Sequence, residues 1–249
     1  MHPLSSEIQR KKGYPTPLGA SAMDHGINFA LFSQHAEGVT LCLFAKDEKH
    51  PFAEIPLDPA IHKTGHIWHI LLKNITTNQI EYGYKMSGPK DPPYSFDEKK
   101  IVSDPYAKGM NSSNNWAHKK INEEGRLLLG KVICDAGFDW QNDRRPHIPL
   151  DEVVLYEMHV RAFTQHPSSK VKHPGTYLGV IEKIPHLKSL GINAIELMPI
   201  FEFNECELHR VNPKTGQSLY NVWGYSTINF FSPMNRFASS ADWTASMDE

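Results

Sequence analysis

Val153-Val-Leu-Tyr-Glu-Met-His-Val160 is a near-continuous apolar run that follows a charged, proline-rich segment, Asp139-Trp-Gln-Asn-Asp-Arg-Arg-Pro-His-Ile-Pro149. A run of this kind is expected of a parallel strand covered on both faces. Downstream, Leu178, Ile181, Ile184, Leu187 and Leu190 recur at helical spacing, and Gly191 supplies a left-handed stop. Ile192-Asn-Ala-Ile-Glu-Leu-Met-Pro199 then returns as a second strand. Pro185 lacks a donor and has a fixed φ, so it is expected to start or kink the helix. The pattern is one βαβ unit, compatible with a closed barrel or an open doubly wound sheet.

Strand parity adds a side-chain expectation. Glu157, His159 and Arg161 share one face of the first strand, while Val154, Tyr156, Met158 and Val160 share the other. In a closed barrel the apolar face meets the helices. The polar row would then line the bore, with Glu196 as the preferred partner across the adjacent strand. Buried charges need partners whatever a protein does, so a mutually satisfied network is favoured over direct substrate contact for these residues.

Upstream of the linker the texture changes. Ile27-Asn-Phe-Ala-Leu-Phe-Ser33, Val39-Thr-Leu-Cys-Leu-Phe44, Ile67-Trp-His-Ile-Leu-Leu72 and Ile80-Glu-Tyr-Gly-Tyr-Lys-Met86 are short, rich in β-branched and aromatic residues, and bounded by turn formers. They predict a β-sandwich. Polar, Asn-rich sequence from Asn111 to Asn122 precedes the linker, which sets a boundary near 145–150 and two domains, 1–145 and 146–249. No internal repeat or low-complexity tract is present.

The chain of 249 residues is 40% apolar and 22% charged, an ordinary globular composition. A net charge of -2 and a pI near 6.7 leave no electrostatic footprint for nucleic acid or an anionic membrane, and suit a neutral partner. The start, Met1-His-Pro-Leu-Ser-Ser-Glu, lacks a basic region followed by an apolar one, and no apolar run approaches the ~20 residues that span a bilayer. A cytoplasmic location is expected. Cys42, Cys134 and Cys206 are too far apart for a Cys-x-x-Cys site and read as buried or inert thiols. His62, His66 and His69 are irregularly spaced, so neither a metal nor another cofactor is expected.

The segment Tyr220-Asn-Val-Trp-Gly-Tyr-Ser-Thr-Ile-Asn-Phe-Phe-Ser-Pro233 gathers aromatic rings around a glycine. Rings so placed at a strand's carboxyl end suit a sugar-stacking wall, because a pyranose offers an apolar C–H face and a rim of hydroxyls. The simpler reading is that the rings close the strand end. Trp68, alternating within an apolar strand, reads as core.

Several ordered blocks resemble the isoamylase-type glycogen debranching enzymes. They are Gly13-Tyr-Pro-Thr-Pro-Leu-Gly-Ala20, Asn28-Phe-Ala-Leu-Phe-Ser33, Tyr82-Gly-Tyr-Lys-Met-Ser-Gly-Pro89, Asp104-Pro-Tyr-Ala-Lys108 and Val154-Leu-Tyr-Glu-Met-His-Val-Arg-Ala-Phe-Thr164. Gly175-Thr-Tyr-Leu-Gly179, Leu187 to Ile200 and Tyr220-Asn-Val-Trp-Gly-Tyr-Ser-Thr227 continue in the same order, so the likeness runs from about Gly13 to Phe237. The resemblance implies a β-sandwich carbohydrate-binding module followed by the start of an alpha-amylase superfamily (β/α)8 barrel. It also implies glycogen or a related α-glucan as partner and hydrolysis of α-1,6 branch linkages as the activity. Tyr225 would stack on the glucose at the cleavage position, with Trp223 beside it on the same loop.

A (β/α)8 barrel takes ~250 residues, whereas Asp151 to Glu249 provides only about 100, room for the first two or three units. The family carries its nucleophile, acid/base and stabilising carboxylates on later strands and an Asn-His segment on the third. No Asn-His dipeptide occurs here. Retaining hydrolysis needs two carboxyl groups ~5–5.5 Å apart, and none can be assigned. The catalytic residues are thus expected beyond position 249, and the chain alone is expected to be inactive. The alternatives are a noncatalytic glucan-binding protein and a fragment of a related branching enzyme.

Overall fold

The computed structural model describes residues 8–75, 79–117, 128–134 and 137–249. They fall into two compact units. One takes the chain up to residue 113 with 128–134 and 229–232; the other takes 114–117, 137–228 and 233–249.

The first unit is a sandwich of two antiparallel sheets. In one, β1 (Gln9–Lys11), β7 (Ile67–Lys73), β3 (Gly26–Phe32) and β2 (Gly19–Met23) lie in that order, with β6 (Lys63–Thr64) also beside β7. In the other the order is β10 (Gly130–Lys131), β8 (Ile80–Ser87), β4 (Gly38–Ala45) and β5 (Ala53–Pro56), with β9 (Ile101–Val102) beside β8. All four strands expected from the sequence are present, each within a residue or so of its expected ends. Period-two alternation explains the packing: Ile27, Phe29 and Leu31 of β3 and Trp68, Ile70 and Leu72 of β7 face Leu41, Leu43, Tyr82 and Tyr84 in one core. The Phe29 and Tyr82 rings meet edge-on across the sheets, with centroids 5.1 Å apart. Each such ring or aliphatic side chain stabilises the fold by roughly 1.5–3 kcal/mol through burial. Trp68 is core, as expected.

Several buried polar groups inside this unit are paired, whereas Trp68 Nε1 and Tyr84 Oη find no hydrogen-bond partner among the described residues. The Asp104 carboxylate accepts from Tyr82 Oη–H at 2.9 Å and Tyr106 N–H at 2.8 Å, and Asn229 Nδ2–H donates to the Asp104 carbonyl. Burial raises the Asp104 pKa to about 6, against the opposing effect of those hydrogen bonds. Asn111, expected in a polar linker, is instead buried between Glu81, to which Nδ2 donates at 2.7 Å, and the Leu129 N–H. Residues 118–122 of that expected linker lie outside the described residues. His69 is fully buried and held by Thr64 and the Lys12 carbonyl, a structural role that uses both ring nitrogens. Cys42 is buried and its thiol is pushed up to about 11, chiefly by desolvation, whereas Cys134 is exposed rather than buried.

The second unit contains the βαβ element. Strands β11 (Leu155–Met158) and β12 (Ala194–Leu197) are parallel, with Leu155 opposite Ala194 and Met158 opposite Leu197. Helices Val160–Gln165, Tyr177–Glu182 and Ile184–Ser189 lie between them. The expected helix breaks at Lys183, and Pro185 sits in the first turn of the next helix, where its missing N–H costs nothing. Gly191 takes φ 79°, the left-handed stop. The short strand β13 (Phe201–Glu202) follows in this unit, whereas β14 (Asn229–Pro233) lies in the first unit up to residue 232.

Three expectations fail here. The first strand ends at Met158, because His159 turns the chain into a helix by accepting the Ala162 N–H; His159 and Arg161 therefore do not share a strand face with Glu157. Glu157 and Glu196 do sit directly opposite in the parallel register, but both are exposed and neither ion-pairs with the other residues of the expected polar row. Nor is the strand covered on both faces within this unit, since Leu155 and Ile195 are 56% and 45% exposed.

Candidate functional site

The loop that carries Trp223 and Tyr225 is built on a buried charged floor. Arg236, Glu202 and Glu205 are each almost wholly buried. Arg236 Nη2–H donates to Glu202 and to the Phe203 carbonyl, and Nε lies 2.8 Å from Glu205 Oε2. The other Glu205 oxygen accepts the Ala117 N–H at 2.9 Å. Desolvation lifts the Glu205 pKa, and the Arg236 charge opposes that rise. Around this group pack Met158, Val160, Phe203, Met234 and Phe237; Trp116 stacks on Phe237, and the Arg161 guanidinium lies 4.8 Å over the Trp116 ring.

The loop is pinned at alternating places. Asn221 N–H donates to the Glu205 carbonyl at 2.8 Å. The Val222 carbonyl is bonded to His159 Nε2 at 2.7 Å. Gly224 N–H donates to Asn221 Oδ1 at 3.1 Å, and Asn221 Nδ2 reaches both Glu207 and Ser226 Oγ. Gly224 takes φ 82° and rests against the Phe203 ring, where a Cβ would come within 2.6 Å of ring carbon. Glycine is required there on both counts.

Between these anchors the two rings project. Trp223 is 65% and Tyr225 67% exposed, with centroids 6.5 Å apart and planes inclined by 67°. Both rings stand largely exposed between these anchors. The structure thus brings the two expected site residues together. The sequence reading missed their supports, His159, Asn221, Glu207 and Phe203; the Asn-x-x-Gly spacing from Asn221 to Gly224 was the one local signal of a side-chain-capped turn. Among the described residues no group of three His, Cys, Asp or Glu side chains is arranged to hold a metal ion, and no helix is long and apolar enough to cross a membrane.

The fold is a β-sandwich followed in the chain by a parallel βαβ unit. Residues 17–107 match the profile of carbohydrate-binding module 48 (isoamylase N-terminal domain). The chain is similar to the N-terminal portion of isoamylases and glycogen debranching enzymes. It is 43% identical to isoamylase 1, chloroplastic, of Oryza sativa subsp. japonica over 91% of this chain and 28% of that protein. It is 37% identical to the glycogen debranching enzyme of Yersinia enterocolitica over 87% of this chain and 33% of that protein. The chain therefore spans about a third of the length of these relatives. Among solved structures, apo pullulanase from Paenibacillus barengoltzii superposes with a TM-score of 0.68 at 22% identity, covering 94% of this chain and 34% of that one, a likeness of fold alone.

Proposed function

We propose that this chain is the glucan-recognising part of an isoamylase-type debranching hydrolase, acting on the α-1,6 branch linkages of glycogen or a related α-glucan. In this reading, residues 1–145 form the binding module, and residues 146–249 begin a (β/α)8 barrel in which β11 and β12 are the first two strands. Tyr225 stacks on the glucose at the cleavage position and Trp223 flanks it. The observation that carries the reading is the pair of open rings on a braced loop, in a chain about 40% identical to isoamylases. The exposed Leu155 and Ile195 support a barrel origin for the parallel pair, since barrel strands are covered on both faces.

The catalytic carboxylates are assigned to none of the residues present, and the chain alone is proposed to bind glucan without cleaving it. A cytoplasmic location is part of this reading, although the plant relatives are named as chloroplastic. The test is co-sedimentation of the purified chain with glycogen, alongside an assay for released linear chains. Weak binding without release is expected. In a longer polypeptide that debranches, Tyr225→Ala is expected to lower kcat/KM by about a hundredfold while leaving stability unchanged, because stacking acts on the distorted sugar ring. Chain-dependent release by residues 1–249 alone would overturn the assignment.

A further inference from the structure

We propose that His159 is a positioning residue for the glucan-facing loop: its Nε2–H bond to the Val222 carbonyl fixes the main chain from which Trp223 and Tyr225 project. The inference rests on reading those two rings as glucan contacts. His159 is 7% exposed, and each ring nitrogen has one fixed partner. Nδ1 accepts the Ala162 N–H at 3.1 Å, so in the neutral ring the proton must be on Nε2, which donates to Val222 O at 2.7 Å. Turning the ring over would break both bonds. The ring also packs edge-on against buried Phe237, at a centroid distance of 5.4 Å. One side chain thereby ends β11, caps the helix Val160–Gln165 and holds the residue that precedes Trp223.

The pattern along the loop gives this bond its meaning. Residues 221, 222, 224 and 226 are each hydrogen-bonded, and the rings at 223 and 225 project between them. A loop held in this way has its ordering cost met before ligand arrives, so its contribution to affinity exceeds that of a loose loop bearing the same rings. A merely structural histidine would matter through its helix cap alone. Two substitutions separate the roles. In His159→Asn the side chain remains a strong N-cap but is too short to reach Val222. In His159→Gln the amide is long enough to donate to Val222 but caps less well.

The measurement is titration of the full chain with maltohexaose, paired with the thermal midpoint and the 19F signal of 5-fluorotryptophan at position 223. His159→Asn is expected to raise Kd about tenfold and broaden the Trp223 signal at a near-unchanged midpoint. His159→Gln is expected to keep Kd within about twofold while lowering the midpoint. His159→Asp, which caps without donating, repeats the first test should the Asn variant fold poorly. Unchanged affinity in a folded Asn or Asp variant overturns the proposal, as does affinity that merely follows stability across all variants. Should Trp223→Ala and Tyr225→Ala leave maltohexaose binding unaltered, the glucan reading of the loop fails and this inference with it. Loss of binding in those two variants but not in His159→Asn sinks the positioning role alone.

Discussion

The sandwich and the βαβ unit solve the problem of burying apolar surface in opposite ways. In the sandwich, inward side chains find their partners across the two sheets, as Phe29 does with Tyr82, and its largest core residues are essentially inaccessible. In the second unit, Leu155, Tyr156 and Ile195 on the strands and Ile181 and Ile184 on the helices remain between 38% and 56% exposed. Antiparallel strands joined by short turns close a core among sequence neighbours, whereas parallel strands are written for cover on both faces by elements distant in sequence. The contrast teaches that an apolar run describes the environment a segment is built for, which can exceed what its own unit supplies.

The largest expected effect breaks the comparison from the side of the second unit. Arg236→Leu strands Glu202 and Glu205 without a counter-charge in a buried site, and is expected to cost about 3–5 kcal/mol of that unit's stability. Urea unfolding followed by tryptophan fluorescence reads this directly. A sandwich transition that shifts equally would show that the units are not separable in this sense.

A smaller, pH-dependent effect belongs to the sandwich. The unfolded Asp104 carboxyl releases its proton near 3.8, whereas the folded one holds it to about 6. The folded state therefore binds the extra proton between those values, and stability falls as pH rises through that window, by ~3 kcal/mol once above it. Asp104→Asn keeps an acceptor for the Tyr106 N–H and removes the titration, so its urea midpoint is expected to be flat over the same range. A wild-type midpoint that rises between pH 4 and 6 would contradict the burial argument.

The smallest change in stability is expected at the open face. Leu155→Ser and Ile195→Ser remove surface that is already about half exposed, so each is expected to alter stability by no more than ~0.5 kcal/mol while reducing self-association. Light scattering against concentration measures the second quantity. A loss of several kcal/mol would mean that these side chains are covered after all.

Much of this was legible in the sequence because local rules decide it. Period-two alternation marked β3, β4, β7 and β8, and Pro185 and Gly191 marked the break and end of the helical stretch, since one lacks a donor and the other tolerates positive φ. The carbohydrate-binding sandwich and the likeness to debranching enzymes followed from ordered blocks of residues and hold against known proteins. Long-range bonds were not legible. Parity carried His159 and Arg161 along a strand that a side-chain cap ends at Met158, and nothing local connects His159 to Val222, 63 residues away. The Glu202–Arg236–Glu205 group escaped notice for the same reason: its members look like surface charges until the fold brings them together.

Hydrogen exchange of the full chain, with and without saturating maltohexaose, tests most directly where glucan is held. The account predicts that amides of β3, β4, β7 and β8 are the slowest in either condition, that those of β11 and β12 exchange faster, and that ligand adds protection at residues 221–226. Added protection confined to the sandwich strands, with residues 221–226 unchanged, would contradict it and favour a binding protein that recognises glucan through the module alone.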